Sequence, residues 1–394
     1  MGTCFAENKK RSNSKVLNPN AEFHKNKNPN SIISDKTNAT VIKTIKQING
    51  DAICIENNNS SIIMILDYSS SVSIQKCNDC SIFIAPCSNS IIIRDCENLN
   101  VISASQQLRL TNVNNSNLFV FSSTSPAIES SSNVRIGMFY IQYMELVEMI
   151  NKAKLNIWEN QWSEFNKFGN DVSVTYANDS IKEEVSAKFQ NGFSECYMST
   201  DSYQFIPFIY GKSIHISPNM SNIVLVFKEE DCIDSEILKH VQPDELNNRA
   251  CKLIKTIIMK DDAKNNNYNE LKRKIVSGGN QGLIEYFNKK DGNAVKSNRT
   301  NNNYDGTQKS NKLNSLDVTG GHNDEYIGEM NMKYLNKKEL LFIWLSCENF
   351  GLEEMQIYTE SVFGVGHFGW ITKEQIGCSE RDYLALLKSL FELN

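Results

Sequence analysis

Ile53-Cys54-Ile55, Val72-Ser73-Ile74, Ile91-Ile92-Ile93 and Leu108-Arg109-Leu110 follow one another at spacings of 19, 19 and 17 residues. Three residues after each triplet stand Asn58, Cys77, Cys96 and Val113, and five further on come Ile63, Ile82, Val101 and Leu118. Alternation with period two marks short strands whose repeated apolar positions share one face. Asn57 to Ser60, Asn78-Asp79, Glu97-Asn98 and Asn114 to Asn117 supply turn-like breaks between them. Short units of this kind bury their apolar faces by stacking on one another. The pattern therefore predicts a mainly β protein, a right-handed parallel β-helix, with Val134-Arg135-Ile136 opening its last rung.

Stacking also gives the cysteines a place. Cys77 and Cys96 take the same position in successive coils as Asn58 and Val113, an inward ladder. Cys77-Asn78-Asp79-Cys80 has the spacing of half a zinc site or of a redox pair. No second Cys or His pair stands at zinc-finger spacing, so packing is the expectation and no metal site is predicted. The central residues of the triplets point the other way, outward: Cys54, Ser73, Ile92 and then Arg109. Gln106 and Gln107 stand at the turn entering the Arg109 rung, and Asn89 and Ser90 occupy the corresponding turn one coil earlier. Stacked turns bring these five residues to one edge. An outward arginine is ordinarily a solvated surface residue, and spacing alone assigns it no task.

The 11 cysteines, with no apolar signal segment near the start, point to reduced thiols in a cytoplasmic setting rather than to a disulfide framework. Residues 1–50 carry about +6 and the remainder about −11 of the net −5. An acidic body argues against nucleic acid as the main partner, because phosphate binding needs clustered positive charge. The start, Met1-Gly2-Thr3-Cys4-Phe5-Ala6 followed by Lys9-Lys10-Arg11, offers Gly2 for acylation, Cys4 for a second chain and a basic patch. One acyl chain holds a membrane only marginally, and two signals are needed. Ala6 departs from the usual Ser or Thr of a myristoylation signal.

Gln106-Gln107-Leu108-Arg109 on one of these coils, with Pro126-Ala127-Ile128-Glu129-Ser130-Ser131-Ser132-Asn133 downstream, closely resembles the tubulin-binding cofactor C domain family over about residues 40–175. The resemblance extends to the Met-Gly start, nearby Cys and basic run of a membrane-tethered member. It implies a GTPase-activating protein for an Arf-like small GTPase, acting in membrane or ciliary trafficking. Arg109 would be the arginine finger. Asn89, Ser90, Gln106, Gln107, Leu108, Glu129 and Phe168 would contact the partner or its nucleotide, and Gly2 and Cys4 would carry lipid. GTP and Mg²⁺ would belong to the partner, with no cofactor of the chain's own and no enzyme activity by itself. The implied location is the cytoplasmic face of the plasma membrane, at a ciliary or flagellar base, and the cytoplasm. Other readings are a non-catalytic effector or scaffold, an actin-binding relative, and a cofactor acting on tubulin. A β-helix lyase or glycosidase would need paired acids along a groove, which the outward stripe lacks. Glu129 could instead bond its own Ser-rich turn, and Phe168 and Trp162 could instead pack the core.

Four regions are expected. Residues 1–40 form a flexible basic leader, 41–175 the β-helix with a C-terminal amphipathic helix over 139–168, and 176–220 a connector. Residues 221–394 form a smaller α/β domain with a disordered insert at about 288–326. Within the last, Asn222–Phe227, Leu340–Leu345 and Gly366–Thr372 read as strands. Asp234 to about Lys260, Leu352–Val362 and Ser379–Leu393 read as helices. A family member ends in a domain similar to nucleoside diphosphate kinases, but His215, His240, His322 and His367 are isolated here and no catalytic motif surrounds them.

Overall fold

The computed structural model describes residues 28–196, 198–200, 205–216, 220–228, 251–260, 339–347, 369–376 and 378–391, with single residues at 241, 246 and 357. Gly2, Cys4, most of the expected leader, the insert at 288–326, His240, His322 and His367 lie outside them. So does the helix expected over 352–362, apart from Ile357.

Two stacks of parallel strands form the coils. Strands are numbered in chain order. One stack holds β1 (Ile32–Ser34), β3 (Ile53–Glu56), β5 (Val72–Gln75) and the ends of β6 (Ser81–Glu97) and β7 (Asn100–Asn114). It finishes with β9 (Ala127–Glu129) and β11 (Asn166–Phe168). The other stack holds β2 (Thr40–Lys43), β4 (Ile62–Ile65), the beginnings of β6 and β7, then β8 (Asn117–Ser122), β10 (Val134–Met138) and β12 (Val174–Tyr176). The predicted parallel β-helix is the observed fold.

Register explains why the repeat holds. Ile53, Val72, Ile91 and Leu108 stack in one inward column, and Ile55, Ile74, Ile93, Leu110 and Ile128 in the next, each at most 1% exposed. Burial of an Ile or Leu side chain is worth roughly 1.5–3 kcal/mol, so these columns are the main stabilising element. Corners are made by residues with positive φ, two per coil and three apart. Asp35, Asn57, Lys76, Asp95, Asn112 and Ser130 form one file, and Asn38, Ser60, Asp79, Asn98, Asn115 and Asn133 the other. Asn and Asp tolerate this left-handed conformation better than most residues, which accounts for the Asn-rich breaks in the sequence.

The two outer faces differ. On the second stack the outward column is Met64, Phe83, Ile102, Phe119 and Gly137, all buried. Helices α1 (Leu146–Ala153) and α2 (Asp179–Glu195) belong to the layer that covers it. Phe119 meets Tyr140 edge-on at 4.9 Å, Phe83 meets Tyr143 at 5.9 Å, and Gly192 of α2 lies so close to Met64 that a Cβ would stand 2.2 Å from its sulfur.

This layer corrects two expectations. Residues 139–168 do not form one long helix: α1 has eight residues and ends at Lys154, whose φ of 56° is left-handed. Beyond it the chain runs irregularly to β11. Residues 176–220 are not merely a connector, because α2 occupies 17 of them, capped by the Asn178 side chain accepting from the Ile181 amide. Ile181, Val185, Phe189 and Phe193 recur every four residues and turn toward the core.

In the C-terminal part, β13 (Ser221–Lys228), β14 (Cys251–Lys260), β15 (Glu339–Cys347) and β16 (Gly369–Ile371) form an antiparallel sheet in the order β14-β15-β13-β16. α3 (Lys373–Ile376) and α4 (Glu380–Leu390) follow. The helix expected up to Lys260 is instead a strand from Cys251 onward, where Ile254, Thr256, Ile257 and Ile258 favour extended backbone. One face of this sheet, with Ile223, Leu225, Phe227, Leu341, Ile343 and Leu345, joins the same core as the coils. The other, with Val224, Val226, Phe342 and Trp344, packs beneath Tyr383, Leu384 and Leu387 of α4. Cys251 and Cys347 are directly opposed in β14 and β15 and are joined as a disulfide, so the expectation that every thiol is reduced does not hold for this pair.

Candidate functional site

The open face of the first stack carries most of the candidate residues. Its outward residues fall in two columns. One runs Ile32, Cys54, Ser73, Ile92, Arg109, Ala127, Asn166 and the other Ser34, Glu56, Gln75, Arg94, Thr111, Glu129, Phe168. The stripe read from the triplets is therefore present, with one correction. Cys54 and Ser73 are only 2% and 5% exposed, although their strand positions face outward. Both are short side chains, and the Gln75 amide reaches across to donate to Ser73 Oγ at 2.6 Å.

Arg109 is exposed, with Ile92 and Ala127 beside it on the stripe and no carboxylate among those neighbours. Its guanidinium makes no hydrogen bond or ion pair with any described residue. Arg135, by contrast, donates to Asn117 Oδ1 at 3.1 Å. A planar, permanently charged fork with five free donors is suited to an incoming anion.

Glu129 and Phe168 share this face. From strand spacing and rise, their Cα atoms lie about 8 Å and about 12 Å from that of Arg109. The Glu129 carboxylate does not close its own turn; its main-chain carbonyl does, accepting from Ser131 Oγ at 2.7 Å. Phe168 is 54% exposed, one of the few large apolar side chains left uncovered among the described residues. Trp162, six residues earlier, is a core residue, 3% exposed, with its indole N–H donating to the Ile209 carbonyl at 2.7 Å. An exposed Phe, a free carboxylate and a free guanidinium therefore share this one face.

Asn89, Ser90, Gln106 and Gln107, expected at turns, lie instead within the continuous strands β6 and β7, where their register shifts between Cys87 and Ser90. Ser90 and Gln107 are register partners, Gln106 and Asn89 are exposed, and Asn89 Nδ2 donates to the Ser70 carbonyl at 3.0 Å. The Gln106 carbonyl accepts the amide and hydroxyl of Thr124, leaving its side chain outward. Leu108 departs from its expected role. It lies inside the coil at 1% exposure, stacked on Ile91, so its side chain does not face a partner.

The inward cysteines are packing residues. Cys77 Nα donates to Cys96 Sγ at 3.4 Å, and the Asn58 side chain heads the same ladder by donating to the Ile33 carbonyl at 3.0 Å and accepting from the Lys36 amide at 2.9 Å. Burial pushes the Cys54 and Cys80 thiols up to about 11 and also raises Cys87. An open cleft of about 790 Å³ runs along α2, lined by Asp179, Lys182, Glu183, Ser186 and Gln190 among others, and contains none of the candidate residues.

The coils thus have one outer face covered by helices and another presenting an unpaired arginine, a free carboxylate and a bare phenylalanine. Residues 50–168 match the family described as tubulin binding cofactor C. The chain is 34% identical over 131 residues to Protein XRP2 of Danio rerio and 38% identical over 119 residues to Protein XRP2 of Homo sapiens. These matches cover 33% and 30% of this chain and 35% and 34% of the relatives, so the chain spans about a third of the length of the curated relatives it matches. Tubulin Binding Cofactor C from Leishmania major aligns over 38% of this chain and 90% of its own, with 18% identity and a TM-score of 0.28.

Proposed function

We propose that this protein is a GTPase-activating protein that lends Arg109 to the active site of an Arf-like small GTPase. The observation that carries the reading is the Arg109 guanidinium, exposed and unpaired on the open face within Gln106-Gln107-Leu108-Arg109. The partner would hold GTP and Mg²⁺. Arg109 would lie against the γ-phosphoryl oxygens, where negative charge spreads as the bond to the leaving oxygen breaks and water attacks in line. Its planar donors stabilise that charge without transferring a proton, because guanidinium stays ionised throughout. Gln106 and Gln107 would flank the nucleotide, Asn89 and Ser90 would extend the edge, and Glu129 and Phe168 would fix the partner's orientation. Acylation at Gly2 and Cys4 would hold the complex at the cytoplasmic face of the plasma membrane, as in ciliary or flagellar trafficking.

The test is single-turnover hydrolysis by a GTP-loaded, Mg²⁺-bound Arf-like protein. Wild type is expected to accelerate it by roughly 10³ to 10⁵. Arg109→Ala should abolish the effect and Arg109→Lys should restore little, keeping the charge but losing the fork. Equal acceleration by wild type and Arg109→Ala sinks the assignment. The bare Phe168 favours a second reading, a non-catalytic effector or scaffold, for which tight GTP-dependent binding without acceleration is the signature. Tubulin, which the relative's name says it binds, is tested as the partner in the same assay.

A further inference from the structure

Phe168 sits on β11, a three-residue strand at the end of the open face, which among the described residues pairs with β9 alone. So short an edge strand has little to hold it beyond that pairing and the Asn166 amide bonded to the Pro126 carbonyl at 2.7 Å. The chain leading into it is tied from a different direction. Thr256 Oγ1 donates to the Trp158 carbonyl, the Trp162 indole donates to the Ile209 carbonyl, and the Lys212 amide donates to Ser163 Oγ at 3.1 Å. Lys255 on β14 forms an ion pair with Glu164, and the two side chains are 4% and 8% exposed. Four contacts from residues beyond 200 therefore converge on residues 158–164, and a single residue, Phe165, separates Glu164 from β11.

From this geometry we infer that the C-terminal sheet positions the partner surface: Lys255, acting through Glu164, fixes where β11 places Phe168 beside Glu129. The inference rests on the GTPase-activator reading and adds to it a role for a part of the chain that carries none of the contact residues. The physical reason is the cost of a buried charge. An ionised carboxylate sealed from water is strongly destabilising once its cation is removed. Without Lys255, Glu164 is driven toward solvent and draws the neighbouring residues with it. Arg109, on a central strand between β6 and β9, has no such dependence.

The experiment compares wild type, Lys255→Met and Lys255→Arg in the full chain. It measures hydrogen exchange of peptides covering 159–168 and 106–113, together with the affinity for, and saturating hydrolysis rate of, the GTP-loaded Arf-like protein. Lys255→Met should speed exchange in 159–168 and weaken affinity, each by about tenfold, equivalent to about 1.4 kcal/mol. Exchange in 106–113 and the rate at saturation should stay within about twofold of wild type. Lys255→Arg should behave as wild type. Unchanged exchange in 159–168, or faster exchange with unchanged affinity, overturns the inference. Should Lys255→Met fail to fold, Trp162→Phe, which removes the bond to the Ile209 carbonyl and trims the indole's edge contact with Tyr176, is judged by the same readouts. If wild type itself binds no Arf-like protein, the functional reading fails, and the exchange comparison still decides whether the sheet anchors β11.

Discussion

Cys54 and Arg109 occupy equivalent places on one outward stripe, yet the thiol is sealed and the guanidinium bare. The difference sets their chemistry. Removing a thiol from water penalises its charged form, so Cys54 and Cys80 both titrate near 11 in the folded protein, against about 9 when exposed. Below pH 9 both states hold the protons and stability is unaffected. Between about 9 and 11 the unfolded chain gives them up while the folded chain keeps them, so unfolding becomes easier as pH rises. Denaturant midpoints measured at pH 8 and pH 10.5 should therefore drop more for wild type than for the Cys54→Ala/Cys80→Ala protein. Equal drops would show that these thiols are not withheld from solvent. Arg109 contributes through its exposure, and its substitution should leave stability within about 0.5 kcal/mol of wild type.

At the scale of the element, the coil is a contest between columns, and Gly137 marks a tight point within one of them. A Cβ at that position would lie 2.6 Å from the Phe119 ring and 3.3 Å from the Ala177 Cβ, because those two residues stand on either side of Gly137 along the stack. Gly137→Ala should cost about 1–3 kcal/mol, read as a lower denaturant midpoint with an unchanged slope. A neutral result would mean that Phe119 has room to turn. Inward columns were legible in the sequence because parallel stacking returns the same residue type to the same place every 17–19 residues. Arg109 was legible for the same reason, as a charge breaking a file of small and apolar residues. The covered and open faces were not told apart, since strand alternation distinguishes inside from outside but not what packs on the outside. β11 was hidden by length: three residues pair with Ala127–Glu129 across a long excursion, and only tertiary contact makes them a strand. In α2 the apolar file Ile181, Val185, Phe189, Phe193 was present but diluted by charged and polar neighbours.

At the scale of the molecule, the C-terminal sheet and the coils share one interior. Ile223, Leu225, Phe227, Leu341, Ile343 and Leu345 are buried in the same cluster as the inward columns, and the buried Lys255–Glu164 pair lies at their junction. Separate domains usually meet across smaller and more polar interfaces and move relative to each other. Here, losing the sheet would strip apolar cover from the segment 158–165 and leave a carboxylate unpaired, so neither part can open without damaging the other. Unfolding should accordingly be a single transition. Far-UV circular dichroism follows both β parts together, whereas tryptophan fluorescence weights Trp158 and Trp162 at the junction, Trp344 beneath α4 and Trp370 on β16. The two signals should trace coincident denaturant curves. A fluorescence change completed well before the loss of β signal would show that the sheet detaches from intact coils. β11 would then be held by the coil alone, and the dependence of Phe168 on Lys255 would lose its physical basis.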